Sequence, residues 1–202
     1  GRPHEAERKN VGAVAEGYGT ALVGAALPRQ RFQSNERSRQ SRSYNRTMNT
    51  QRFTQFLDTM DALVSRTSHE PTVLDEGDAA LKSLIAHDDW LPPEYAKPVA
   101  ERYQSYALYV DPQERYSVIS FVWAPGQGTP IHNHTVWGLV GVLRGAERCE
   151  EFPVPGTGKL RCQHEHNLPR GEVDRVSPTI GDWHQVSNAL TDQPSVSIHV
   201  YG

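Results

Sequence analysis

Apolar residues change their spacing along this chain, and each change marks a different kind of structure. From Met48 onward, Phe53, Phe56, Leu57, Met60, Leu63 and Val64 recur at three- and four-residue intervals, the signature of one apolar helix face. Asn49 or Thr50 is placed to cap that helix. A second helical stretch is predicted near Asp78–His87, with Leu81, Leu84 and Ile85 as its face. Leu91–Tyr95 (LPPEY) breaks the pattern, and a short helix or turn is predicted near Lys97–Arg102. Alone these helices bury too little to be stable, so they must pack on one side of something larger.

After Tyr103 the period becomes two. Tyr106, Leu108 and Val110 alternate with polar or small partners, and Asp111–Glu114 (DPQE) makes a turn. Tyr116–Trp123 is a run of β-branched and aromatic residues that reads as a strand. Ala124–Pro130 is a Gly/Pro loop, Ile131–Leu143 reads as mostly strand, and Arg144-Gly145 begins a turn. Cys149–Val154, Gly158–His166, Val173–Val176, Asp182–Ser187 and Ser195–Tyr201 are further short strands. Many short strands separated by Gly/Pro turns predict a sandwich or barrel. There is no βαβ alternation and no Gly-rich phosphate loop, which argues against a nucleotide-binding parallel sheet.

Composition divides the chain. Of its 202 residues, 1–47 hold nine Lys/Arg against four Asp/Glu, and the rest hold twelve against twenty. All four Trp fall in the second part. Residues 1–47 end in a Ser/Arg/Asn/Gln-rich stretch with little to bury, and read as a disordered basic leader ahead of a start at Met48. A basic arm for nucleic acid or an Arg-rich transit peptide are the other readings of that segment. No run approaches the ~18–20 apolar residues of a membrane span. A formal net charge of -3 gives no general pull toward nucleic acid. Two cysteines make no disulfide framework and read as free thiols of a reducing cytoplasm.

Histidine placement carries the chemistry. His132 and His134 stand two apart in a predicted strand, so both point to one face. Such a pair either chelates one ion or forms ordinary solvated strand histidines. His184 follows the turn Pro178–Trp183. His164 and His166 form a second His-x-His near Cys162, either a soft-metal cluster or a solvated hairpin edge. Ser197, His199 and Tyr201 share one face of the last strand, with Val196, Ile198 and Val200 on the other.

The segment Gly126–Gly145 (GQGTPIHNHTVWGLVGVLRG) resembles the first motif of the cupin superfamily, and Pro178–Asn188 (PTIGDWHQVSN) resembles the second. The resemblance implies a mainly β fold, a double-stranded β-helix or jelly-roll barrel with N-terminal α-helices. A cupin usually offers a Glu shortly after His-x-His, and Thr135–Leu139 contains none. The implied site is three neutral His, as in the cysteine dioxygenase family of thiol dioxygenases. Ser197, His199 and Tyr201 in SVSIHVYG match that family's Ser-x-His-x-Tyr relay. The phrase HTVWGLVGVLRGAE is most similar to the bacterial branch that resembles 3-mercaptopropionate dioxygenase. The similarity covers Met48 to Gly202, with 48–102 as helical lead-in and 103–202 as β-barrel.

What the resemblance implies is a non-haem iron enzyme that oxidises cysteine or 3-mercaptopropionate with O2 to the sulfinic acid. His132, His134 and His184 would hold Fe(II). Tyr201 would act at the substrate, oriented by His199 and, behind it, Ser197. Trp137 and Trp183 would form dry walls or simply core. No Cys lies near His134 in sequence, so no Cys–Tyr cross-link is expected; Cys149 and Cys162 are too far along the chain to match. Cysteine dioxygenases bind the substrate carboxylate with an Arg in the strand before the first motif. Here Tyr103–Tyr109 has none, and Gln104, Ser105 or Tyr106 would stand in. The mercaptopropionate branch places its Arg beyond the relay strand, where this sequence has stopped, so a C-terminal truncation is expected. The partners implied are a small thiol and O2, with no nucleic acid or membrane, in a cytoplasmic monomer or weak oligomer. The competing functions are a non-catalytic ligand-binding cupin, which would not require the relay, and a cupin dioxygenase or isomerase of another substrate.

Overall fold

A computed structural model describes residues 50–156 and 160–202. The predicted leader 1–47, the Asn49 cap and residues 157–159 lie outside them. Among the described residues two helices come first, α1 (Thr50–Arg66) and α2 (Glu70–Ile85), followed by a 3-10 turn at Pro93–Ala96. Eight strands follow: β1 (Gln104–Val110), β2 (Ser117–Trp123), β3 (Gly138–Arg144), β4 (Ala146–Glu151), β5 (His164–Pro169), β6 (Val173–Val176), β7 (His184–Asn188) and β8 (Ser195–Tyr201). They form two antiparallel sheets, ordered β1-β2-β8-β3-β6 and β5-β4-β7, with the paired strands running as in the expected double-stranded β-helix. Among the described residues no helix is long and apolar enough to cross a membrane.

The helices cover the outer face of the larger sheet. Phe56, Met60 and Leu63 of α1 are buried as their spacing predicts, with Phe53, Leu57 and Val64 packed at the margin. They meet Leu74, Leu81, Leu84 and Ile85 of α2 and the outward residues Val118, Val122, Leu139, Val196, Ile198 and Val200. Inward-facing neighbours on the same strands, Val140, Val142, Ser197 and His199, point between the sheets. Each side chain of β8 thus belongs to one of two interiors, because the strand keeps strict alternation.

Helix α2 begins two turns earlier than its pattern predicts. Pro71 stands in the first turn, where its missing N–H costs nothing. Glu70 accepts hydrogen bonds from the hydroxyls of Ser177 (2.6 Å) and Thr179, which anchors the helix start to the loop after β6. Gly77 is where Leu139 presses in: a Cβ there would sit 2.7 Å from its Cδ1. At the other end the Trp90 indole donates to the carbonyls of Leu84 (3.2 Å) and His87 (3.0 Å). The break at Leu91–Tyr95 takes the form of the 3-10 turn Pro93–Ala96, where proline fixes φ, and no further helix forms at 97–102.

Two predicted strands are corrected. The run 131–143 is a strand only from Gly138 onward, and His132 and His134 lie ahead of it in a loop. Only an isolated bridge, His132 to His184, continues the pairing there. Thr135 turns the chain with φ 61°, so the preceding residues cannot extend β3. The strand predicted at 158–166 instead runs His164–Pro169, opposite β4.

Candidate metal centre

The bridge brings two histidines together through their own backbone. His132 N–H donates to His184 O (2.9 Å), and His184 N–H returns to His132 O (3.0 Å). His134 is placed by Asp182, whose one carboxylate oxygen accepts the backbone N–H groups of His134 (2.8 Å) and Thr135 (2.9 Å). The three rings sit 4.7 to 4.9 Å apart between centroids. One nitrogen from each lies within 4.8 Å of the others, so the arrangement suits a single ion. The His132 and His134 rings do converge, although the loop between β2 and β3 and not strand alternation brings them together.

Each imidazole has its Nδ1 occupied. His132 Nδ1 faces the Pro130 carbonyl at 3.0 Å. His134 Nδ1 faces the other Asp182 oxygen at 2.7 Å. His184 Nδ1 faces Cys149 Sγ at 3.7 Å. With Nδ1 as the donor in the first two, the Nε2 lone pairs are free and turned inward. His184 Nε2 is buried and has no hydrogen-bond partner. An orphaned imidazole nitrogen in a cluster of two others is what a metal would satisfy. Burial lowers the pKa of all three below 6.5, most for His184, so the rings are neutral and able to ligate.

The relay stands beside them. The Tyr201 hydroxyl lies 2.6 Å from His199 Nδ1, and His199 Nε2 lies 2.8 Å from Ser197 Oγ. The Trp123 indole donates to the same Ser197 oxygen (3.3 Å). Phe121 packs over His199, with centroids 4.2 Å apart. Tyr201 stacks on His134 at 4.9 Å, which couples the relay to the imidazole cluster. Gly138 permits that stack, because a Cβ there would lie 2.7 Å from the Tyr201 ring. Burial raises the Tyr201 pKa far above its ordinary value and lowers that of His199, so both are neutral.

Other expectations need correction. Tyr106 turns to the helix side, packing edge-on against Tyr95 and donating to the Lys97 carbonyl (3.2 Å). Gln104 donates to the carbonyls of Arg102 and Tyr103, beside its own strand. Ser105, opposite Phe121, is the one of the three on the inward register. Trp137 packs against the helix-side core and, through its carbonyl, accepts the Gly202 N–H (3.1 Å). Tyr103 is the aromatic that reaches inward, against Trp123 (4.7 Å). Cys149 and Cys162 are free, but Cys149 is buried against His184 despite its sequence distance. His166 is half-buried on the edge strand β5, where it hydrogen-bonds Asp174 (2.7 Å) and its ligand atoms cluster with Cys149 and Asp174. His164 stays exposed and stacks on His166.

Sequence reasoning missed Asp182, Cys149 and Glu147. Glu147 is buried to 1% exposure, and its carboxyl oxygens have no hydrogen-bond partner. An acid inside a strand of otherwise mixed burial carries no linear signal. Asp182 sits in the second motif two residues before His184 and was legible there as a candidate orienting group.

Solved structures with related features include a Thermus thermophilus protein, 19% identical over 55% of this chain and 91% of that one (TM-score 0.43). A Klebsiella pneumoniae protein with a double-stranded β-helix domain is 19% identical over 55% and 84% (TM-score 0.42). A cupin superfamily protein from Desulfitobacterium hafniense is 14% identical over 57% and 91% (TM-score 0.43). The family model for cysteine dioxygenase type I matches residues 77–202, which include β1 to β8, the three histidines and the relay. The chain belongs to the cysteine dioxygenase type I family.

Proposed function

We propose that the chain is a non-haem iron dioxygenase that converts a small thiol carboxylate and O2 to a sulfinic acid, RSH + O2 → RSO2H. The observation that carries this reading is the convergence of three neutral imidazoles beside Tyr201. Ferrous iron, when bound by His132, His134 and His184, would supply open coordination positions and the redox activity that oxygenation needs. Three imidazoles contribute no charge, so an anionic sulfur is favoured at the centre and the thiol pKa is lowered there. The thiol supplies all the electrons, so no further reductant enters the balance.

The chain's own groups orient and exclude. Tyr201 keeps its proton, because burial disfavours the phenolate. His199 holds the hydroxyl at 2.6 Å, and Ser197 holds His199. Phe121, Trp123 and Tyr103 wall the relay with aromatic surface. The inward register of β1 carries the Ser105 hydroxyl and no guanidinium. That supports 3-mercaptopropionate over cysteine as the preferred substrate. The protein acts in the cytoplasm on this reading, where free thiols persist.

Oxygen uptake by the iron-replete full chain, with 3-mercaptopropionate and cysteine compared, tests the proposal. Thiol-dependent uptake with sulfinate formed in equal amount is expected, with the higher kcat/KM for 3-mercaptopropionate. Absence of thiol-dependent uptake would overturn it.

A further inference from the structure

A second group of metal-ligating side chains stands beyond His184 and takes no part in the proposed chemistry. Cys149 of β4 and His166 of β5 lie directly opposite each other in register, so their side chains leave the sheet on the same face. Asp174 of β6 closes the group from the larger sheet, with one carboxylate oxygen 2.7 Å from His166 Nε2. One ligand atom from each of the three lies within 4.8 Å of the other two. Cys149 and Asp174 also line a cavity of about 10 Å³, shared with His184 and Glu147. That space suits one water-sized sphere or one ion. Its wall is short of polar partners. Glu147 is 1% exposed and neither of its oxygens has a hydrogen-bond partner among the described residues. His166 Nδ1 has none either, and Glu151 Oε1 stands 3.7 Å from it.

We infer that Cys149, His166 and Asp174 form a second cation site, one for a divalent thiophilic ion such as zinc, which clamps the smaller sheet to the larger. Charge selects the valence. A thiolate and a carboxylate carry one negative charge each and the imidazole none, so a divalent ion leaves the group neutral where it is buried. The three-histidine set differs, because it leaves the charge of its ion uncompensated. Donor type selects the element. Sulfur, nitrogen and oxygen together suit zinc, whereas magnesium and calcium take oxygen alone. Donor atoms in a tetrahedral zinc site stand roughly 3.3–3.8 Å apart, so side-chain rotations of about 1 Å close this set. Cys149 binds as the thiolate, and its proton leaves to solvent. The sulfur then accepts from His184 Nδ1, 3.7 Å away, which leaves His184 Nε2 for the first site. His166 shows the matching order: Nε2 faces the ion and Nδ1 turns toward the Glu151 carboxylate.

Cobalt(II) reports sulfur ligation through a charge-transfer band in the near ultraviolet that imidazole and carboxylate ligands do not give. It is titrated into the full metal-free chain carrying Cys162→Ser, which removes the exposed thiol. The band should saturate within the first two equivalents and vanish when zinc is added. His184→Ala in the same background disables the three-histidine set and should keep the band. His166→Ala and Asp174→Asn each leave Cys149 in place and should lose it. Both residues are half-buried on edge strands, and circular dichroism of the metal-free variants checks their fold. Where one variant fails to fold, the other decides. No sulfur band in the Cys162→Ser chain would overturn the inference. So would a band that survives in the folded His166→Ala or Asp174→Asn chain. A band lost with His184→Ala also overturns it, because the thiolate then belongs to the ion of the three histidines. Zinc at one equivalent goes first to the doubly anionic set, and the effect of iron on stability is read with that zinc bound.

Discussion

A histidine offers a defined lone pair to a metal only when something fixes its other nitrogen. For His132 that is a backbone carbonyl, which no side-chain substitution removes. For His134 it is Asp182, which also holds two backbone N–H groups of the loop. Asp182→Asn is nearly isosteric and keeps an oxygen for the loop. Its amide, however, faces Nδ1 with a donor and drives His134 to carry its proton on Nε2, where it cannot ligate. Metal affinity should fall by roughly 10–100-fold with little loss of secondary structure. Competition titration against a chelator measures it, and unchanged affinity would remove Asp182 from the site. Glu147 makes a prediction of the opposite kind. Burial raises its pKa from 4.5 to about 7, so between those values the folded chain holds a proton that the unfolded chain has lost. Stability therefore falls as pH rises from 4.5 to 7 and levels off above, by up to about 3 kcal/mol. Glu147→Gln should melt higher than wild type at pH 8 and show no such advantage at pH 4. A constant difference across that range would mean the carboxyl is not buried as described.

At the scale of elements, β8 joins everything. Its outward residues lock the sheet to the helices, and its inward residues form the relay. Its neighbour β3 must approach closely, and Gly138 makes room for the Tyr201 ring. Gly138→Ala should displace that ring, costing roughly 1–3 kcal/mol from overpacking and lowering turnover more than metal content. Equal loss of both would place the damage in the fold instead. The same elements explain what the sequence disclosed. Strand β8 was legible residue by residue because strict alternation needs only the period of two. The face of α1 was legible for the equivalent reason at 3.6. Helix α2 starts before its predicted bounds: Pro71 stands in its first turn and Gly77 admits Leu139, and neither position adds to the apolar face that Leu81, Leu84 and Ile85 mark. The His132–His134 loop read as strand because apolar residues flank it; its turn at Thr135 depends on an acid 47 residues away. Sequence neighbourhood brings Gln104 and Tyr106 near the site, but register decides which side of β1 faces inward. Side-chain contacts between neighbouring strands, such as Cys149 with His184, have no linear signature at all.

At the scale of the whole molecule, the three histidines bind the two sheets to each other. His184 belongs to β7 of the smaller sheet, while His132 and His134 sit on the loop that leads from β2 to β3 of the larger one. An ion held by all three would link the two sheets, and its binding energy would add to folding. At metal concentrations about 100 times Kd the gain is about 2.7 kcal/mol. For a chain of this size that raises Tm by roughly 5–10 °C. The imidazoles are already held below pKa 6.5 by burial, so protons compete for them only in more acid solution. The rise in Tm on adding ferrous iron under anaerobic conditions should therefore persist at about pH 6, where an exposed three-histidine site would be weakened by protonation. His184→Ala should abolish the rise at every pH while leaving the metal-free Tm within a few degrees. A chain whose Tm ignores metal, or whose response to metal survives that substitution, would show that the two sheets are held together by packing alone.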